Sequence, residues 1–365
     1  MIHLVRRPQP SRLWIFCAPI LAVALTMLAG GLMFWLLGKD PFLAIKTIFW
    51  EPLFGANTAR NMAQLVVKAA PLVLIATGLA LGFRAGVWNI GAEGQYIMGA
   101  LAGGALALAF YPMEGRWIFP LCILAGALGG LIWAMIPALL RVRLGVSEIL
   151  VSLMLVYVAQ HFMALMAVGA LKNPQGYGFP GSRNLAQYPS VANLELWSRT
   201  GIHWGVIAAI LAVIGAYVLL TRHLLGFNIR VAGIAPRAAK FSGVSPNRLI
   251  VICLAISGAA AGLAGFFEVA GPSGVISINF NVGYGFTAII VAFLGRLHPV
   301  GILLAGLLMA LTYIGGGIAQ SRLTLPAASI QALQGMLLFF LLGLDVLSNY
   351  RIRRSTTLAA SAQGK

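Results

Sequence analysis

The sequence predicts an all-α, polytopic membrane protein of about ten transmembrane helices, and three observations predict it. Its 365 residues are 60% hydrophobic and only 9% charged, too few charges to cover a soluble domain. The apolar residues gather in long runs, and a run of about 20 is what a helix needs to cross the hydrocarbon core. The 43 glycines suit helices that approach closely in lipid. A formal charge of +17 would suggest nucleic acid in a soluble protein. Here the cations sit in short loops, so they read as orientation signals and nucleic acid is not an expected partner.

A basic segment, 1–14, holds Arg6, Arg7 and Arg12. The apolar run behind it, 15–38, is longer than the roughly 7–15 residues of a signal-peptide core, so it reads as an uncleaved first span. The following candidates are 65–82, 87–110, 117–140, 148–171, 203–221, 249–269, 284–297, 300–319 and 329–347. The eighth, 284–297, covers only about 21 Å of a roughly 30 Å core. One transmembrane domain therefore extends over 15–347, and 348–365 forms a tail. With the N-terminus inside, the inner loops collect Arg84, Arg141, Arg143, Arg222, Arg230, Arg237, Lys240, Arg248 and the arginines of the tail. The outer side holds Asp40, Glu51, Glu114 and Glu195. This asymmetry places both termini and the long 222–248 loop in the cytoplasm, and 172–202 outside.

The external 172–202 loop is rich in Gly, Pro, Asn and Ser and suits an ordered loop or a short helix. In the inner loop, Arg230 to Phe241 reads either as one short helix along the membrane surface or as a charged tether. Asn89-Ile90-Gly91 opens the third span and Asn281-Val282-Gly283 precedes the eighth. If spans two to five correspond to spans seven to ten, the halves are inverted repeats, with binding near broken helices at the midplane; chance similarity of two tripeptides is the alternative.

No motif for catalysis is present: there is no G-x-x-x-x-G-K-[ST], no H-E-x-x-H and no G-x-S-x-G. Cys17, Cys122 and Cys253 lie in apolar runs without metal-ligand spacing, and the histidines are scattered. No catalytic residue, metal site or bound cofactor is expected, and the chain does not read as an enzyme. Glu93 is the most informative residue, because a carboxylate in an apolar run costs a few kcal/mol in the hydrocarbon. It must face a polar cavity, a partner or a helix N-terminus, and two readings stand: a group lining or gating a pathway, or a cap that pins a neighbouring helix. Asn89 and Glu93, at i and i+4, share a face if this stretch is helical. Lys68 lies near the outer end of its span, too far along the membrane normal to pair with Glu93. The stretch 271–285, GPSGVISINFNVGYG, is too glycine-rich for a helix. It reads as an extended segment entering the membrane before a half-helix, tolerated only where protein or water covers it, or as an ordinary external loop. In the first case Asn279, Phe280, Asn281, Tyr284 and Phe286 offer amides and aromatic faces that suit a neutral, ring-bearing or polyhydroxylated solute.

Three stretches carry a family resemblance: Gly86–Gly99 (GVWNIGAEGQYIMG), the segment across Val146–Tyr157 (within GVSEILVSLMLVY) and Gly226–Gly243 (GFNIRVAGIAPRAAKFSG). They resemble permeases of the branched-chain amino acid and simple-sugar ABC importer family, above all its nucleoside-type branch, over roughly residues 60–345. The resemblance implies a permease subunit moving a nucleoside or simple sugar across a bacterial inner membrane. It implies a second permease subunit, as homo- or heterodimer, and an extracytoplasmic solute-binding protein. Two ATPase subunits would carry ATP and Mg, so hydrolysis would lie off this chain. It also implies that the Glu93 stretch, with Asn89 and Gln95, lies near the pathway. Gly226, Arg230, Gly233, Pro236, Ala238, Ala239 and Gly243 would form the element that couples to the ATPase. The basic N-terminus and the 172–202 loop have no counterpart in the resemblance. The alternative is an ion-coupled secondary transporter, whose mark would be several deep acids where only Glu93 is expected to be deep.

Overall fold

A computed structural model describes residues 2–6, 12–280 and 283–354. The chain divides into two units, one of Met1–Ile48 with Gly316–Lys365 and one of Phe49–Gly315. In the first unit, helix α1 (Arg12–Leu36) packs on α14 (Ala327–Asn349). A β-carbon on Gly30 would lie 2.3 Å from Leu333 Cδ1, so the Leu333 side chain occupies the space the glycine leaves. Helix α2 (Pro41–Phe49) starts where Asp40 Oδ1 accepts from the N–H groups of Phe42 and Leu43 at 2.9 and 3.1 Å, an N-terminal cap. Strands β1 (Ile2–Arg6) and β2 (Tyr350–Arg354) pair antiparallel, with Ile2 opposite Arg354 and Arg6 opposite Tyr350. This small pair departs from an otherwise all-α reading; five-residue strands beside long apolar runs leave no hydropathy signal of their own.

The second unit holds α3 (Glu51–Phe54), α4 (Thr58–Arg84), α5 (Ala92–Ala109), α6 (Ile118–Leu144), α7 (Glu148–Val168) and α8 (Trp204–Arg222). It continues with α9 (Leu224–Ile234), α10 (Pro236–Phe241), α11 (Pro246–Ala270), α12 (Tyr284–Leu294) and α13 (Pro299–Leu323), whose last turns fall in the first unit. Helix α4 is apolar and buried continuously from Ala69 to Phe83, as a central helix should be, while its first turns carry Arg60, Gln64 and Lys68. Around it α5, α6 and α11 meet through glycines. A β-carbon on Gly99 would sit 2.1 Å from Gly262 Cα, and one on Gly130 2.2 Å from the Gly258 carbonyl, so these backbones touch directly. Helices α6, α7 and α8 turn Leu128, Ile132, Leu150, Met154, Leu211 and Ile214 outward, an apolar surface suited to lipid.

Every one of the ten predicted spans corresponds to a helix, and among the described residues eight helices are long and apolar enough to cross a membrane. The exceptions are α5 and the 11-residue α12. Three expectations are corrected. The third span begins at Ala92, not at residue 87, because Asn89 turns back on the Gly91 N–H at 3.1 Å and keeps 87–91 out of the helix. Asn89 and Glu93 therefore do not share a helix face. The 222–248 loop holds two helices instead of one, broken at Ala235, since Pro236 has no N–H for a continuing helix and opens α10 instead.

Candidate functional site

Two short breaks place the polar groups of the second unit: residues 85–91 before α5, and the stretch after Gly271 that ends at Gly283, before α12. The second break is packed into the bundle, with Ile276 and Phe280 buried and Phe280 stacked on Tyr96 at 5.2 Å between ring centres. The stretch re-enters the packed bundle at Ile276 and Phe280, while Pro272, Ser273, Ile278 and Asn279 stay exposed. The N-termini of α5 and α12 meet where Gly285 lies against Ala92 and Glu93; a β-carbon there would sit 2.2 Å from the Glu93 nitrogen.

Glu93 fills this meeting point. It is fully buried and accepts from the N–H of Gly283 at 3.1 Å and from the N–H groups of Gly285 and Phe286. Those are among the orphan donors of the first turn of α12. The carboxyl also sits in the first turn of its own helix, so two helix dipoles favour its negative charge. Of the two readings of Glu93, the cap is the one its geometry supplies. Asn89 and Gln95 are equally buried. Asn89 Nδ2 donates to Gln95 Oε1 and to Ser257 Oγ, both at 2.8 Å, and Asn89 Oδ1 accepts from Gln95 Nε2 at 3.0 Å. These amides tie α11 to the break before α5; Asn89 uses both of its Nδ2 protons, and Gln95 uses one of its two Nε2 protons. Asn279 is exposed, Phe286 joins the cluster through its backbone N–H while its side chain is exposed, and Asn281 lies outside the described residues, as does most of the second tripeptide of the proposed repeat.

A second cluster escaped the sequence. Lys68 of α4 donates to Tyr284 Oη at 2.7 Å and faces Glu268 at 3.6 Å. Glu268 ends α11 but is buried, so a position near a span end did not mean solvent. Lys68 does not pair with Glu93, as its height in the span implied. Tyr284, the first residue of α12, packs edge-on against Tyr96 and Tyr313, and Tyr313 shares a 2.9 Å hydrogen bond with Thr287. The signal for this cluster was present as two separate charges, one in each of two apolar runs.

Lys68 also lines a cleft of about 490 Å³ walled by the 172–202 loop. That loop is ordered around a 3₁₀ turn at Leu185–Gln187 and is sewn to the re-entrant segment. Leu185 N–H donates to Gly274 O at 2.7 Å, and Asn193 N–H to Ala270 O at 2.9 Å. His203, at the start of α8, is buried beside it. Its Nδ1 accepts the Gly205 N–H at 3.0 Å, so its proton lies on Nε2, which has no partner among the described residues.

At the other end of the bundle, α9 and α10 pack under the C-terminus of α4. Gly226 is buried, and a β-carbon on Gly233 would lie 1.9 Å from the Arg84 carbonyl. Gly243, at φ +83°, ends α10 in the left-handed region that favours glycine. Arg230, Pro236 and Ala238 are exposed. Ala239 is buried against the chain itself, and Phe241 and Ile234 are the residues that project.

A family model described as the branched-chain amino acid transport system / permease component matches residues 61–342. The glucose ABC transporter permease protein TsgB13 of Haloferax volcanii is 34% identical over 98% of this chain and 96% of its own length. The nucleoside ABC transporter permease protein NupB of Lactococcus lactis subsp. cremoris is 27% identical over 88% of this chain and 89% of its own. The guanosine ABC transporter permease protein NupP of Bacillus subtilis is 29% identical over 87% and 89%. No solved structure matches.

Proposed function

The chain belongs to the permease family of branched-chain amino acid transport systems, and we propose that it imports a neutral hydroxylated solute, a sugar or a nucleoside, as the membrane-spanning subunit of an ATP-driven importer. The observation that carries the solute class is the 34% identity with a glucose permease over nearly the whole of both chains. The nucleoside and guanosine permeases add the ribose-bearing alternative. Membership implies an ABC ATPase and a binding protein as partners. In this reading the ATPase subunits bind the α9–α10 face, a second permease chain completes the pathway, and both termini lie in the cytoplasm.

The division of labour within α9–α10 supports that face. Gly226 seats α9 against the end of α8 and Gly233 seats it against the end of α4, Ala239 is buried, and Ile234 and Phe241 stand out with Arg237 and Lys240 between and beside them. Apolar knobs framed by cations suit a groove with acidic edges on the ATPase. Closure of the ATPase pair would then move α9 and α10 and, through them, α8 and α11. The test is reconstitution with the ATPase and the binding protein. Phe241→Ser, at a nearly fully exposed position, should leave the amount of folded permease unchanged while solute-stimulated ATP hydrolysis and uptake fall together. Undiminished stimulation in that variant excludes this face; failure of any ATPase to copurify with the native chain refutes the importer itself.

A further inference from the structure

We propose that the cleft beside Lys68 is a receiving site for a neutral, polyhydroxylated solute, with Lys68 as the group its hydroxyls reach. The inference rests on the importer reading. Its volume of about 490 Å³ falls within the roughly 300–1,000 Å³ of small-molecule sites. The chemistry of the lining selects the class. Lys68 is the only cation among the lining residues, and its charge is offset from behind by Glu268 at 3.6 Å. Glu195 brings a carboxylate to the rim, where one oxygen accepts the Arg199 N–H at 2.8 Å and the other can accept from a ligand. An anion would meet Glu195 without a free cation to repay it.

The remaining groups want partners that both donate and accept. The Gln64 amide makes no hydrogen bond among the described residues and lies beside Gly201, where a β-carbon would be 3.1 Å from its nitrogen. His203 is 97% buried and lines the cleft; its Nε2, without an acceptor, is itself buried and is reached only when a side chain around it shifts. A buried donor in that state belongs with a ligand or solvent oxygen. Lys68 has spent two of its three N–H groups on Tyr284 and Glu268, and its side chain is about a third exposed. An apolar ligand would leave all of these unpaired; hydroxyl groups satisfy them without adding charge.

The position of the cleft gives occupancy a consequence. Its wall is hydrogen-bonded to the re-entrant segment at Gly274 and to the end of α11 at Ala270, and its lysine holds the first residue of α12. A solute hydroxyl that competes with Tyr284 for Lys68 therefore acts on the half-helix that Glu93 caps.

The test uses the assembled complex in lipid nanodiscs, with Leu194→Cys on the exposed rim in a Cys17→Ser background; Cys122 and Cys253 are buried. Its rate of reaction with a charged, impermeant maleimide is measured with D-glucose, guanosine or glucose 6-phosphate. At twice the dissociation constant, a neutral probe should slow labelling about threefold. The phosphate should not, and Gln64→Ala should abolish protection without reducing the folded complex. Equal labelling with all three probes, or protection by the phosphate alone, overturns the proposal. ATP-driven uptake in the same preparation separates the two readings: uptake without protection discards the cleft and keeps the importer, whereas protection without uptake keeps the cleft and discards the importer.

Discussion

Around Asn89 the polar groups are buried and bond chiefly to one another, whereas around Lys68 they border a cleft. Asn89, Gln95, Ser257 and Glu93 close their bonds among themselves and on the backbone of α12, within a space where glycines bring helices into contact. Lys68, Gln64 and His203 border a cleft, and each keeps a donor in hand. Both clusters are polar groups among apolar helices. The difference teaches that an isolated charge in a span signals a burial problem, while unspent bonding capacity beside a cavity signals a ligand. The first cluster should respond to mutation through folding, and the second through transport.

The largest expected effect is Glu93→Ala. It strands three N–H groups at the head of α12, and a buried unpaired donor costs about 1–3 kcal/mol. Folded permease, followed by the thermal midpoint in detergent, should collapse together with uptake, and Glu93→Gln should recover part of both. A stable Glu93→Ala protein with dead transport would move Glu93 into the pathway and erase the contrast. Next comes Lys68→Met, which leaves Glu268 buried without its cation. Breaking a buried pair costs about 3–5 kcal/mol, and exposure of roughly a third of the lysine puts this one at the low end. Adding Glu268→Gln should restore most of the lost stability but not uptake. If the double variant is no more stable than Lys68→Met alone, the two side chains are not paired in the folded protein.

The spans were legible because length and hydropathy decide them, and the short eighth helix was visible in the glycine-rich residues before it. The breaks were only half legible. Asn89 looked like part of a helix because nothing in the spacing shows that its side chain turns back on Gly91. Glu93 announced that it needed a partner, but its partner lies 190 residues away, a separation that no local pattern encodes. Glu268 and Lys68 are hidden in the same way, since their pairing depends on α4 and α11 lying side by side. In the 222–248 loop the composition allowed a short helix, yet it could not say that Ala239 faces inward and Phe241 outward.

The two smallest effects compare one hydroxyl from each cluster. Ser257→Ala removes an acceptor from Asn89, whose second Nδ2 proton then has no partner in a site that is 2% exposed. The expected loss is about 1–2 kcal/mol of stability, seen as a lower thermal midpoint with unchanged transport per folded molecule. Tyr284→Phe removes the acceptor of Lys68 and keeps the ring that packs on Tyr96 and Tyr313. Because the lysine reaches the cleft, solvent can take the place of the lost oxygen, so stability should fall by less than about 1 kcal/mol. The functional readout should move the other way. With Tyr284 Oη gone, a solute hydroxyl no longer competes for Lys68, so half-maximal protection of Leu194→Cys should require less solute. The link from the cleft to α12 would be cut at the same time, so maximal solute-stimulated ATP hydrolysis should drop. A Tyr284→Phe protein that loses as much stability as Ser257→Ala, with solute affinity unchanged, would show that Lys68 is as fully committed as Asn89 and that the two clusters do not differ in kind.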